Sequence, residues 1–195
     1  MPFWNRITDD RPVEHSVVLA TDGSGSMAGQ KIEDAKKATV SFARDICSEN
    51  NELALVLFGP GWRGVQIILK FCRNVQEIER AVAGFRVENG TPFLQAMQVA
   101  YDDLLKNAKG KPVLVLITDG LPTDASCEEI LKYGQHLKEK GVRIITVAIG
   151  EDADREFLRK LASKPDDFYF SRFSVQLEKT YRKIASGLVA TRKRA

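Results

Sequence analysis

Asp22, Ser24 and Ser26 alternate with glycines in Asp22-Gly23-Ser24-Gly25-Ser26, directly behind the apolar run 17–20. A carboxylate and two hydroxyls are hard oxygen donors of the kind that Mg²⁺ prefers. Two other stretches carry the same chemistry. Thr118-Asp119-Gly120 follows the apolar run 113–117, and Glu88-Asn89-Gly90-Thr91-Pro92 is a loop sequence whose proline restricts Thr91 to extended backbone. If the two apolar runs are neighbouring strands, Asp22, Ser24, Ser26 and Asp119 converge at one edge of the sheet, and Thr91 can present its hydroxyl to the same point. Two carboxylates and three hydroxyls suit a near-octahedral Mg²⁺ or Mn²⁺ site that keeps waters and an open position. With only two protein charges around it, such an ion stays electron-poor and favours an anionic ligand.

The elements that must position these residues follow from hydrophobic periodicity. Runs 17–20, 53–58, 113–117 and 142–149 are short and nearly continuous, as in strands buried on both faces. Ile32, Ala35, Thr39, Phe42, Ala43 and Ile46 recur at helical spacing. Further helices are expected over 74–84 (Val75, Ile78, Val82), after Pro92 (Leu94, Met97, Tyr101, Leu104 on one face), and after Ser126 (Ile130, Leu131, Leu137, stopping at Gly141). A helix over 153–163, a short strand at Phe168-Tyr169-Phe170, and a closing helix faced by Val175, Leu177, Tyr181, Ile184 and Leu188 complete the chain. The run 65–71 follows its predecessor too closely for a parallel crossover, so it is expected antiparallel at the sheet edge. Strands alternating with helices predict an α/β fold, a mostly parallel sheet with helices on both faces. Asp124 is expected to cap the helix that starts near Ser126, and His15, His136 and Trp62 to serve packing or surface roles.

The three oxygen-bearing segments, in this order and at the ends of these elements, resemble the metal-ion-dependent adhesion site (MIDAS) of the von Willebrand factor A domain. The likeness covers roughly residues 14–190, and no coordinating position departs from the pattern. It implies a three-layer α/β/α, doubly wound, Rossmann-like fold whose six-stranded sheet runs 3-2-1-4-5-6 with one antiparallel edge strand. It also implies that Ser24 and Ser26 hold the metal directly, and that Thr91 and Asp119 exchange direct and water-mediated roles between affinity states. A Glu or Asp of a protein partner would complete the shell. Among members of the family the chain is more similar to the short stand-alone intracellular proteins of bacteria than to secreted adhesion proteins.

Length and composition agree with this organisation. The 195 residues suit one ordinary domain, here 14–190, between an irregular lead-in (1–13, containing Phe3 and Trp4) and a basic tail (191–195). A net charge of +3 is too small to argue for nucleic acid, and no apolar stretch approaches the roughly 18 residues that span a membrane. Met1 to Arg6 shows no apolar signal core, and the three cysteines fit neither a disulfide framework nor a zinc spacing. A cytoplasmic protein with reduced thiols is therefore expected.

Enzymatic alternatives use the same turn. Gly23 to Ala28 formally fits G-x-G-x-x-A, but the second strand ends Leu57-Phe58-Gly59, without the acid that would hold a ribose. Gly23-Ser24-Gly25 is too short for a nucleophile elbow. A metal-dependent hydrolase or phosphotransfer enzyme would need further acids or a base beside Asp22, and the turn offers none. The expectation is a non-enzymatic module that binds an acidic protein partner through a metal.

Overall fold

The computed structural model describes residues 12–59 and 64–190. The lead-in with Phe3 and Trp4, Trp62 and the basic tail lie outside the described residues.

Strands β1 (His15–Asp22), β2 (Glu52–Phe58), β3 (Val65–Cys72), β4 (Lys111–Thr118), β5 (Arg143–Ile149) and β6 (Phe168–Ser171) form one sheet, ordered β3-β2-β1-β4-β5-β6. Between and after them run helices α1 (Gln30–Cys47), α2 (Val75–Ala83), α3 (Phe93–Val99), α4 (Cys127–Glu139), α5 (Arg155–Leu161) and α6 (Leu177–Ala190). Every residue of β1 is buried, as its unbroken apolar run requires of a strand covered on both faces. Alternate side chains serve the two faces. Val17 and Leu19 enter a core with Phe42, Ile46 and Tyr181, beneath α1 and α6; Val18 and Ala20 enter another with Phe93, Met97, Ile130 and Leu137, beneath α3 and α4. Each fully buried Val, Leu, Ile or Phe contributes about 1.5–3 kcal/mol, so these two layers hold the sheet flat against its helices.

β1 pairs in parallel with both β2 and β4. The chain leaves β1 toward β2 on one side and later returns to place β4 on the other. The crevice beyond the carboxyl ends of β1 and β4 is thus the switch point at which open α/β sheets bind ligands. β3 pairs antiparallel with β2 and is only partly buried, the edge strand that the short connection demands. Among the described residues no helix is long and apolar enough to cross a membrane.

Two helical faces differ from expectation. The helix after Pro92 does not run straight: α3 passes into a π-helical turn at Ala100–Leu104 and a 3-10 turn at Leu105–Asn107. Phe93, Ala96, Met97, Ala100 and Leu104 are buried while Leu94 and Tyr101 pack only partly, so the inner face is anchored at Phe93 and Ala100, one position before the expected Leu94 and Tyr101. Val175 precedes α6 in a 3-10 turn and is 74% exposed, whereas Leu177, Tyr181, Ile184 and Leu188 are buried as expected.

Candidate metal centre

The parallel register sets Thr21 opposite Ile117, so Asp22 and Thr118 leave the two strands side by side. The Thr118 hydroxyl donates to Asp22 Oδ2 at 2.5 Å and itself accepts from the Gly120 amide at 3.1 Å. Asp22 Oδ1 accepts from the Ser24 amide at 2.8 Å, which closes the turn after β1. Asp22 is fully buried, and burial pushes its carboxyl up to about 6, against the lowering hydrogen bonds from Thr118 and Ser24.

The hydroxyls carry the connection onward. Ser24 Oγ and Ser26 Oγ are 2.9 Å apart, and the Ser26 hydroxyl donates to Asp119 Oδ1 at 2.7 Å. Ser26 lies in a 3-10 turn, Gly25–Met27, that separates β1 from α1. Four of the five expected residues are thereby joined across the two strand ends. The other Asp119 oxygen is taken by a residue not singled out in the sequence: Lys31 Nζ reaches Asp119 Oδ2 at 2.5 Å.

Thr91 comes from a third direction. The Glu88 amide donates to the Gly23 carbonyl at 2.8 Å, which ties the Thr91 loop to the turn after β1. Thr123 then clamps Thr91 from the loop after β4: its hydroxyl accepts from the Thr91 amide at 2.9 Å, and its amide donates to the Thr91 carbonyl at 3.0 Å. A Cβ built on Gly120 would stand 4.0 Å from both Ser26 Oγ and Thr91 Oγ1, so the Thr91 hydroxyl borders the same space as the serines. Gly59 packs between the loops with φ +112; a Cβ there would meet the Gly90 carbonyl oxygen and the Ser24 amide nitrogen at 2.8 Å. Only glycine meets both conditions.

Asp124 corrects the expectation made for it. It caps a helix, but its carboxylate accepts from the Leu94 and Gln95 amides at 3.2 and 2.9 Å, at the start of α3. Ser126 caps α4 instead, in a reciprocal capping box with Glu129. Thr123 and Asp124 together fasten the loop after β4 to the loop that carries Thr91. His15 sits at the opposite end of β1, buried, with Nδ1 3.0 Å from Asn51 Oδ1.

Every donor here is a hard oxygen, and the set carries two carboxylates, a chemistry that fits Mg²⁺ or Mn²⁺. Among the described residues no three His, Cys, Asp or Glu side chains cluster as a metal site of those types would. Sequence spacing brought out the oxygen donors because each follows a strand or precedes a proline. Lys31, Thr123 and Gly59 carried no such signal, since their roles arise only when distant loops meet; Thr118 follows a strand, but its bond to Asp22 arises only once the two strands pair.

A family model for the von Willebrand factor type A domain matches residues 16–183. Inter-alpha-trypsin inhibitor heavy chain H4 of Sus scrofa is 25% identical over 191 residues, which cover 91% of this chain and 21% of that protein. Human inter-alpha-trypsin inhibitor heavy chain H1 is 25% identical over 159 residues, covering 75% and 17% respectively. The chain thus spans about a fifth of the length of these relatives. Among solved structures, the vWF domain of the type V pili tip protein Mfa5 from Porphyromonas gingivalis superposes with a TM-score of 0.82 at 13% identity, covering 94% of this chain and 98% of that one. Proximal thread matrix protein 1 from the mussel byssus, in a structure with a zinc-occupied MIDAS motif, gives 0.78 at 15% identity and covers 91% and 48%. These structural likenesses show a shared fold.

Proposed function

The chain belongs to the von Willebrand factor type A domain family, and from that premise we propose that it is a divalent-cation-dependent protein-interaction module. Asp22, Ser24, Ser26, Thr91 and Asp119 would hold Mg²⁺ or Mn²⁺ as a MIDAS, and a Glu or Asp of a partner would complete the shell. One observation carries this reading: hydrogen bonds run unbroken from Asp22 through Ser24 and Ser26 to Asp119, from one strand end to the next. The zinc in the mussel protein's motif supports a divalent ion in a site of this kind. A bound ion supplies a Lewis-acidic position for a carboxylate oxygen and favours the ionised form of Asp22 that burial alone disfavours.

The chain's own residues do the positioning. Thr118 orients Asp22, the Gly90-Thr91-Pro92 loop is held by Thr123, and Asp124 holds the helix behind it. The proposed role is binding rather than catalysis, and neither histidine stands in the donor set as a base. His15 lies at the far end of β1 and His136 in the last turn of α4. Cys47, Cys72 and Cys127 are free thiols, and burial pushes the Cys47 thiol up to about 12, which keeps it unreactive; a reducing cytoplasmic setting is part of the proposal.

The test is calorimetric titration of Mg²⁺ and Mn²⁺ into wild type and Asp22→Ala, followed by capture of cellular proteins on each, in Mg²⁺ and in EDTA. The reading expects metal binding by wild type and not by Asp22→Ala, and partners retained only by wild type in Mg²⁺. Partners that bind both proteins equally in EDTA would overturn it.

A further inference from the structure

Lys31 is the second residue of α1, at the end of an 18-residue helix where unpaired amides leave partial positive charge. A cation is unfavourable there, and no capping side chain offsets it. The cap residue is Gly29, at φ +76 and without a side-chain cap, and the first-turn acid Glu33 pairs with Lys36 at 2.8 Å. The compensation comes from the turn after the neighbouring strand β4. Lys31 Nζ donates to Asp119 Oδ2 at 2.5 Å, while the Ser26 hydroxyl holds Asp119 Oδ1 at 2.7 Å. The Asp119 side chain is 1% exposed and that of Lys31 is 34% exposed, so the ammonium enters the donor set from the solvent side. A residue that breaks a local rule while contacting a candidate ligand marks a functional position.

We infer that Lys31 is a resident cation of this site, lowering its affinity for divalent ions and turning the loaded site toward carboxylate ligands. The inference rests on the metal-dependent reading given above. Asp22 and Asp119 together neutralise a divalent ion. Lys31 adds a positive charge in contact with one of them, so the loaded site carries one net positive charge. A partner's carboxylate brings that site to neutrality; without Lys31 the same carboxylate would leave it negative. The ammonium also competes for Asp119 Oδ2, so an incoming ion must share or displace it. Ion and carboxylate therefore strengthen one another's binding, and by linkage they do so reciprocally.

The test titrates Mn²⁺ into wild type, Lys31→Met and Lys31→Arg, with and without excess acetate as the carboxylate probe. Lys31→Met is expected to bind Mn²⁺ on the order of tenfold more tightly than wild type, and Lys31→Arg, which keeps the charge, to stay near wild type. Acetate should tighten Mn²⁺ binding to wild type more than to Lys31→Met. In EDTA, Lys31→Met should melt below wild type, because buried Asp119 loses its counter-ion; this readout needs no metal. Equal Mn²⁺ affinity in wild type and Lys31→Met, or equal enhancement by acetate, overturns the inference. Asp22→Ala keeps the two ideas distinguishable. If wild type binds Mn²⁺, Asp22→Ala does not, and Lys31→Met matches wild type, only the role of Lys31 falls. If wild type binds no Mn²⁺, both fall.

Discussion

Thr118 is the side chain that helps to orient Asp22 from the neighbouring strand. Its hydroxyl gives one hydrogen to Asp22 Oδ2 and takes one from Gly120, joining the two strand ends, while the Ser24 amide holds Asp22 Oδ1. Partners that orient a metal ligand typically account for 10–100-fold in metal affinity. Thr118→Val keeps the β-branched shape of a buried strand residue and removes only the hydroxyl. It is expected to fold as wild type does and to bind Mn²⁺ about 10–100-fold more weakly by calorimetry; unchanged affinity would show that Asp22 orients itself. Thr91→Ala makes a different prediction, because it removes a neutral donor without changing the charge of the site. It should retain measurable Mg²⁺ binding and lose more affinity for the partner than for the metal. The donors themselves were legible in the sequence because Asp22, Ser24, Ser26 and Asp119 directly follow apolar runs. Thr118 was visible in its segment but its role was not, since a polar residue at a strand end looks the same whether or not it faces a neighbouring carboxylate.

Loops, rather than strands, bring the site together, and Gly59 shows how tightly they meet. It follows β2, takes φ +112, and lets the Ser24 turn and the Gly90 carbonyl approach to distances that exclude a side chain. Gly59→Ala adds both left-handed strain and a clash with fixed backbone. Destabilisation of about 1–3 kcal/mol is expected, read as a lowered denaturant midpoint, together with weaker Mn²⁺ binding as the two loops separate. A stable variant with intact metal binding would contradict this packing. Element boundaries shifted by about two residues, as at β1 and β4, whereas the order of strands and helices was readable from period and punctuation. The π-helical turn after α3 was not, because one extra residue per turn leaves an apolar pattern that still looks helical. Asp124 was misplaced for a similar reason. It stands two residues before Ser126, and sequence proximity favoured α4, while the fold brings the start of α3 closer.

At the scale of the whole molecule, the two ends of β1 have separate tasks. The carboxyl end bears the candidate site, and the amino end fastens the sheet through His15, Asn51, and the Ser16 hydroxyl that donates to Glu52 at 2.6 Å. Burial holds the His15 imidazole below its ordinary 6.5, with Lys111 and Arg143 acting in the same direction and Asn51 and Glu14 opposing. The unfolded chain therefore binds a proton that the folded chain refuses. Stability conferred by neutral His15 is complete above about 6.5 and is lost as pH falls from there toward the folded value, by at most about 1.4 kcal/mol per pH unit. Denaturant midpoints followed downward from pH 7.5 should decline more steeply for wild type than for His15→Gln. The difference isolates the imidazole because Asp22 titrates in both proteins; parallel curves would contradict the assignment.

The strands were legible because each buried one is a nearly unbroken apolar run, and the antiparallel edge because of one short connection, whereas their order in the sheet came from the resemblance to the family. What the oxygen atoms beyond β1 and β4 do rests on whether a divalent ion sits among them. Mn²⁺ added in small substoichiometric steps to ¹⁵N-labelled protein tests this most directly, because its unpaired electrons broaden the amides nearest to it. The account predicts that signals of residues 22–26, 90–91 and 118–120 disappear first, with those of His15 and Asn51 at the far end of the sheet preserved, and that Asp22→Ala abolishes the effect. Broadening centred elsewhere, or identical in Asp22→Ala, would contradict it.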